Sequence, residues 1–389
     1  MYTTMWSYLW DLVDDGLEDA VSRLREQVGL DAISVATAYH TFEQLRPHRP
    51  DRKLLIENAA AIYFQPDLSL YADTAIRPRV ADLVQHGNPM ARLADQTQRV
   101  GLDFISWTVC LHNSDLAQKY PSLAQQTAYG DRLGWILCPG EEDVRAYVVA
   151  ICRDLVANYG VKRLELETCN FGGYGHHHHH PKDGVPLGNV GRYLYSLSFS
   201  DGCRSRGQKL GIDVDRLASW VRMQLDPIFR GGQPLEGDLE GFVAAHQELA
   251  DYQQMREETV SSLVTDIRRA CPDTQISFLL MGDRWTSGIR ADQLQRDADR
   301  MGILAYTASP DEAQGMIEKA MDRGVPSVDR LVTGLCAYPP ASPDAQTLAA
   351  VMARARSLNV EEFSFYNYGI MPEACLEWVS SCIQGTSDS

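Results

Sequence analysis

The chain has 389 residues, with 52 acidic against 36 basic side chains and a net charge of −16. No Lys/Arg-rich run or stripe accompanies that balance, which argues against a nucleic-acid partner, since phosphate backbones need clustered cations. The nine cysteines are scattered, odd in number and without a CxxC pair, so neither a disulfide framework nor a zinc knuckle is expected and the thiols read as reduced, in a cytoplasmic protein.

The opening MYTTMWSYLWDLVDD carries no basic leader and turns acidic, and no stretch reaches about 18 apolar residues, so no membrane association is expected. TTMWSYLW reads as a strand, followed by a helical pattern through Leu17, Val21, Leu24 and Val28 that stops at Gly29. A second strand, AISVATAYH, runs into a polar segment with Arg46, His48 and Arg49 and an unassigned insertion, 51 to 88, before a helix at 89 to 99. The third strand, DFISWTVCLHN, is followed by a long irregular stretch up to LCPG; loops this long are uncommon unless functional. A helix over 141 to 158, with three acids at its start complementing the macrodipole, delivers the chain into the fourth strand. From 187 to 269 the amphipathic pattern predicts three helices with a glycine-rich break at FRGGQPLEGD. The last third alternates regularly, with strands at 275 to 282, 302 to 309, 330 to 338 and 361 to 369. Helices are expected near 290 to 300, 310 to 323, 343 to 357 and 371 to 383.

Eight strands, each followed by helical sequence, predict an α/β fold of the (β/α)₈ TIM barrel type with long βα loops. One domain over 1 to 389 is expected, with extended loops near 40 to 88, 111 to 140 and 170 to 240. A doubly wound sheet would want a Gly-rich phosphate turn after an early strand, and GGYG at 172 to 175 is not that motif.

The fourth strand holds most of the functional signal. In VKRLELETCNFGGYGHHHHH, Glu165 and Glu167 share one strand face. Buried strand carboxylates cost several kcal/mol, about the scale of an unpaired polar group or more, unless they are paired or open onto a site. Two readings stand: a glutamate bridging a core arginine, or a carboxylate at the active end of a barrel strand. The five histidines cannot all aim at one point, so at most two or three could share a metal, and a solvated loop is the alternative.

In a barrel of this type the site forms at the carboxyl ends of the strands. Collected there are Trp6, Ser7 and Tyr8; Tyr39 and His40; Trp107, His112 and Asn113; Glu165 and Glu167; Asp283 and Trp285; Tyr306; Tyr338; and Tyr366, Asn367 and Tyr368. Aromatic faces with amide, hydroxyl and imidazole groups suit the C–H faces and hydroxyls of a sugar, whereas a phosphorylated ligand would want Lys, Arg and glycine backbone. Any single Tyr or Trp of this set is equally at home in a core.

The stretch LCPGEEDVRAYVVAICRDLVANYGVKRLELET resembles a segment of glycoside-hydrolase-like barrel proteins, distantly related to alpha-amylases. In the resemblance Glu167 falls where those proteins carry the strand-four Asp, and Lys162 and Arg163 stand in place of their Asp-Gly. It implies a glycosidase with Glu167 as nucleophile or base and Asp283, after strand five, as acid; strand seven, TGLCAYPP, has no carboxylate. The expected substrate is a small carbohydrate or glycoside with no cofactor, and a homo-oligomer is left open. Two rival readings stay open: a divalent-metal isomerase or lyase using Glu167 with His178 and His180, joined by His40 or His112, and a non-catalytic sugar-binding barrel.

Overall fold

The computed structural model describes residues 1–175 and 182–385. Eight parallel strands are β1 (Tyr2–Ser7), β2 (Ala32–Tyr39), β3 (Asp103–Val109), β4 (Arg163–Glu167), β5 (Gln275–Leu279), β6 (Arg300–Leu304), β7 (Leu331–Cys336) and β8 (Glu362–Tyr366). Each pairs with its sequence neighbours, and β1 pairs with both β2 and β8, so the sheet closes into a barrel with helices between the strands. Closure leaves no open edge among the eight. A two-residue strand, Ala61–Ile62, adds antiparallel to the end of β2.

All eight predicted strands are present, but the first stops at Ser7, with Leu9 and Trp10 already in the helix Leu9–Asp14, and the sixth runs Arg300–Leu304 rather than 302 to 309. The helices Pro89–Val100, Glu142–Tyr159, Pro310–Asp322 and Ala345–Ser357 also fall where expected. Two stretches differ. The region 187 to 269 holds five helices rather than three: Gly188–Tyr195, Asp201–Lys209, Val214–Gly231, Leu239–Ala244 and Gln247–Ala270. The short helices keep their apolar sides on the same core, so the hydrophobic period runs on across the breaks and hides them. The helix expected near 290 to 300 is two single turns, Arg284–Ser287 and Ala291–Leu294, because Gly288 takes a left-handed φ of 71° and ends the first.

The long loops have structure of their own. Segment 40 to 88 contains the antiparallel hairpin Phe42–Leu45 with Leu54–Glu57, and segment 111 to 140 contains the helix Ser114–Lys119 and the hairpin Ala124–Gln126 with Arg132–Leu137. Among the described residues no helix is long and apolar enough to cross a membrane. The nine cysteines are buried and unpaired.

The barrel bore explains the charged fourth strand. Arg163, Glu165 and Glu167 alternate along β4 and all are buried, at 5%, 1% and 8% exposure. At the lower end Arg163 pairs with Glu362 of β8, four strands away and so across the bore, and Glu362 also accepts from Arg300 Nε at 2.9 Å. Arg163 therefore takes Glu362 as its partner. Neither Glu165 nor Glu167 bridges an arginine.

Candidate active site

The upper two layers of the β4 stack are held by indoles. Glu165 Oε1 accepts from Trp6 Nε1 of β1 and from Ser34 Oγ of β2, the latter at 2.8 Å. Glu167 Oε2 accepts from Trp107 Nε1 of β3 at 2.5 Å. No hydrogen bond from the described residues reaches its other oxygen. The two tryptophan rings lie 6.4 Å apart, and among the described residues neither carboxylate forms a direct ion pair. Burial pushes the Glu167 carboxyl from the usual 4.5 up to about 7; the Trp107 bond opposes this, and the like charge of Glu165 adds to it. Burial raises Glu165 as well, against the bonds from Trp6 and Ser34. A carboxyl that titrates near neutrality is equipped to give and take a proton at working pH.

Trp6 reaches Glu165 because β7 has a glycine beneath it. A Cβ on Gly334 would lie 2.7 Å from the Trp6 ring. Gly334→Ala is therefore expected to displace the indole, weaken its bond to Glu165 and destabilise the fold by about 1–3 kcal/mol, as overpacking does, measurable by urea unfolding.

Around Glu167 stands a wall of tyrosines. Tyr39 Oη meets Tyr8 Oη at 3.0 Å, and Tyr8 Oη meets Tyr366 Oη at 2.9 Å, a continuous hydroxyl chain from β2 to β8. The Tyr306 and Tyr338 rings lie 5.5 and 6.5 Å from Tyr366. Burial, aided by the Glu167 charge, holds Tyr39, Tyr306 and Tyr366 above the ordinary phenol range, so they act as neutral hydroxyls. His40 stacks on His112 at 4.3 Å and on Tyr39 at 4.4 Å, which extends the aromatic surface across β2 and β3.

Other expected site residues are placed differently. Asp283 is exposed and caps the turn Arg284–Ser287: its Oδ1 accepts from the backbone of Trp285 and Thr286 at 2.7 and 2.8 Å, and its Oδ2 from Thr286 Oγ1 at 3.0 Å. Asp283→Ala is expected to cost about 1 kcal/mol of stability, the usual worth of such a cap, while Asp283→Asn keeps most of it; thermal melts of the two variants check this. Trp285 lies under the Arg284 guanidinium and edge-on to Tyr193. Asn113 caps Ser114–Lys119 through Leu116 N at 2.9 Å, and Asn367 is fully buried with its Oδ1 on Gly369 N. His178 and His180 lie outside the described residues. Among the described residues no group of three or more His, Cys, Asp or Glu side chains is placed to hold a metal ion.

The sequence reading underrated Tyr8, which joins the other two hydroxyls, and missed Ser34. Tyr8 lies two residues after Trp6, on the same face of the chain as it leaves β1, and that spacing was the available signal.

No family model matches the chain, and no curated protein matches it. Solved structures do. The glycoside hydrolase domain of PgaB (BpsB) from Bordetella bronchiseptica superposes with a TM-score of 0.62 at 13% identity, over 98% of each chain. The catalytic domain of beta-amylase from Paenibacillus polymyxa does so at 0.56 and 10%, over 99% of this chain and 98% of that one. Beta-galactosidase from the psychrophilic Marinomonas ef1 reaches 0.60 at 12%, and the chain spans 60% of its length. The barrel is of the kind these glycoside hydrolases use. At such identities the likeness is one of fold, and function rests on the site itself.

Proposed function

We propose that this glycoside-hydrolase-like barrel cleaves a glycosidic bond in a small carbohydrate or glycoside, with Glu167 as the carboxyl that protonates the departing oxygen. The observation that carries the reading is Glu167 itself. It sits at the carboxyl end of β4, buried, titrating at about 7, with Trp107 holding one oxygen and the other left for a substrate. A protonated carboxyl in apolar surroundings beside a second carboxylate is the arrangement a general acid needs. The tyrosine wall offers ring faces for sugar C–H groups and neutral hydroxyls for sugar oxygens.

The sequence reading made Glu167 nucleophile or base. Its raised pKa favours the acid role instead. Most glycosidases use a second carboxyl. Asp283 is the sequence candidate, and it would have to leave its cap bonds to Trp285 and Thr286 to serve. The test is hydrolysis of a panel of 4-nitrophenyl glycosides and unmodified oligosaccharides by wild type and Glu167→Gln. Release of sugar by wild type and its loss in the variant support the reading. No release from any of them, or equal release by both proteins, defeats it.

A further inference from the structure

Beside the tyrosine wall lies a cavity of about 680 Å³ that the sequence reading did not foresee. Its inner side is formed by Tyr8, Tyr39, Tyr338 and Tyr366, of which Tyr39 and Tyr366 feel the Glu167 charge. Its outer side is formed by the hairpin that follows β2, through Phe42, Leu45 and Pro47, and by Ile370 and Pro372 in the turn after β8. The hairpin is therefore a wall added to the mouth of the barrel.

Of the polar residues along this outer side, Glu43 is exposed, and Gln44 and Lys53 bond within the protein. Gln44 gives its amide N–H to Asp11 Oδ2 at 2.7 Å and Gly369 O at 3.1 Å, and its oxygen accepts from Trp10 Nε1 at 2.7 Å. Lys53 Nζ donates to the backbone oxygens of Pro47 and Arg49. Phe42 is fixed by stacking on Trp10 at 4.6 Å, which in turn stacks on Tyr8 at 4.5 Å. Hydroxyls thus line one end of the cavity, and the other is mostly ring and aliphatic surface, with Glu43 and Lys53 at its edge. A sugar chain would find few groups to bond along the outer side, whereas an alkyl or aryl group would lose water from both its own surface and the wall. Leu45 is 69% exposed at the cavity mouth, apolar surface that such a group would cover.

We infer that this cavity is the subsite for an apolar aglycone, so that the substrate is a glycoside whose leaving group is an alkyl or aryl alcohol rather than a second sugar. The inference rests on the hydrolase reading for the position of the sugar, next to the tyrosines.

The test compares methyl with n-octyl β-D-glucopyranoside, the octyl compound below its micelle concentration. Their leaving alcohols are of similar acidity, so differences report on binding. Tryptophan fluorescence titration gives the dissociation constants, and sugar release gives kcat/KM. The octyl glycoside should bind at least about tenfold more tightly, a modest part of what full burial of the chain would give. That ratio should fall toward one in Ile370→Ser and in Leu45→Ser; Leu45 is surface-exposed, so its variant keeps the fold testable if Ile370→Ser does not fold. Ile56→Ser, on the same hairpin but away from the cavity lining, should keep the preference. Equal binding of the two glycosides, no binding of either, or a preference lost only in Ile56→Ser would overturn the subsite. Octyl preference without sugar release, here and across the glycoside panel, leaves the subsite standing and removes the hydrolase reading. Sugar release at equal kcat/KM from both does the reverse.

Discussion

Glu167→Gln is expected to lower turnover on the true substrate by at least about a hundredfold, near 2.7 kcal/mol of transition-state stabilisation, while the protein stays folded. Gln keeps the size and still offers Trp107 an acceptor, so the loss would be one of proton transfer rather than of shape. The pH profile separates the roles. As a general acid Glu167 must carry its proton, so wild-type kcat/KM should fall as pH rises through about 7; as a nucleophile or base it would rise there instead. The same titration makes a stability prediction. The folded carboxyl holds its proton up to about 7, whereas the unfolded one releases it near 4.5. Across that window this site binds more protons in the native than in the unfolded state, so its contribution to stability falls as pH rises, by about 3 kcal/mol in all. Glu167→Gln should lose that fall and at pH 8 melt above wild type, a gain in stability with a loss of activity that a strained catalytic group produces. Melts at pH 4 and pH 8 with both proteins check it. A variant that melts like wild type at both pH values and keeps full activity would remove Glu167 from the chemistry.

What could be read from the sequence follows the range of the interaction concerned. The facing of Glu165 and Glu167 depends only on the two-residue period of a strand, and the barrel only on counting such strands, so both were legible. The partners were not. Trp6 stands 159 residues from Glu165, and Trp107 stands 60 from Glu167. Only barrel closure decides which indole meets which carboxylate. Asp283 is held by a different, local interaction. Its neighbours in DRWTSG spell a local cap, with an acceptor before Trp285 and Thr286 and a stop at Gly288. That capping signal is local and legible in the sequence. Asn113 before SDLAQK carries the same kind of signal. The hairpin over the cavity was obscured because eight residues separate Leu45 from Leu54, far beyond the two-residue turns that mark a hairpin locally. Its apolar residues face the cavity and solvent, so its pattern matches neither a core strand nor a loop.

Glu362→Gln is expected to be the most destabilising conservative change in the barrel. The carboxylate sits at 5% exposure between Arg163, itself 5% exposed, and the Nε of Arg300, and it joins β8 to β4 across the bore. Removing its charge leaves the buried Arg163 guanidinium in contact with Gln275 Oε1 at 3.2 Å and the face of Tyr2, with no direct ion-pair partner among the described residues. Breaking a buried pair in this way costs about 3–5 kcal/mol, because the orphaned charge keeps its desolvation penalty and loses its partner. Arg300 is less affected, since its side chain is 31% exposed and can turn to water. The double change Arg163→Met with Glu362→Leu removes both buried charges together and should recover most of the loss. Urea unfolding of the two single variants and the double variant gives the coupling directly. If Glu362→Gln costs less than about 1 kcal/mol, the pair contributes no more than an exposed ion pair would. The upper layers of the β4 stack would then owe nothing to the charge beneath them. If the cost is large, the pair is what anchors β4 from below, and a charged lower layer is part of how this barrel keeps Glu167 at its mouth.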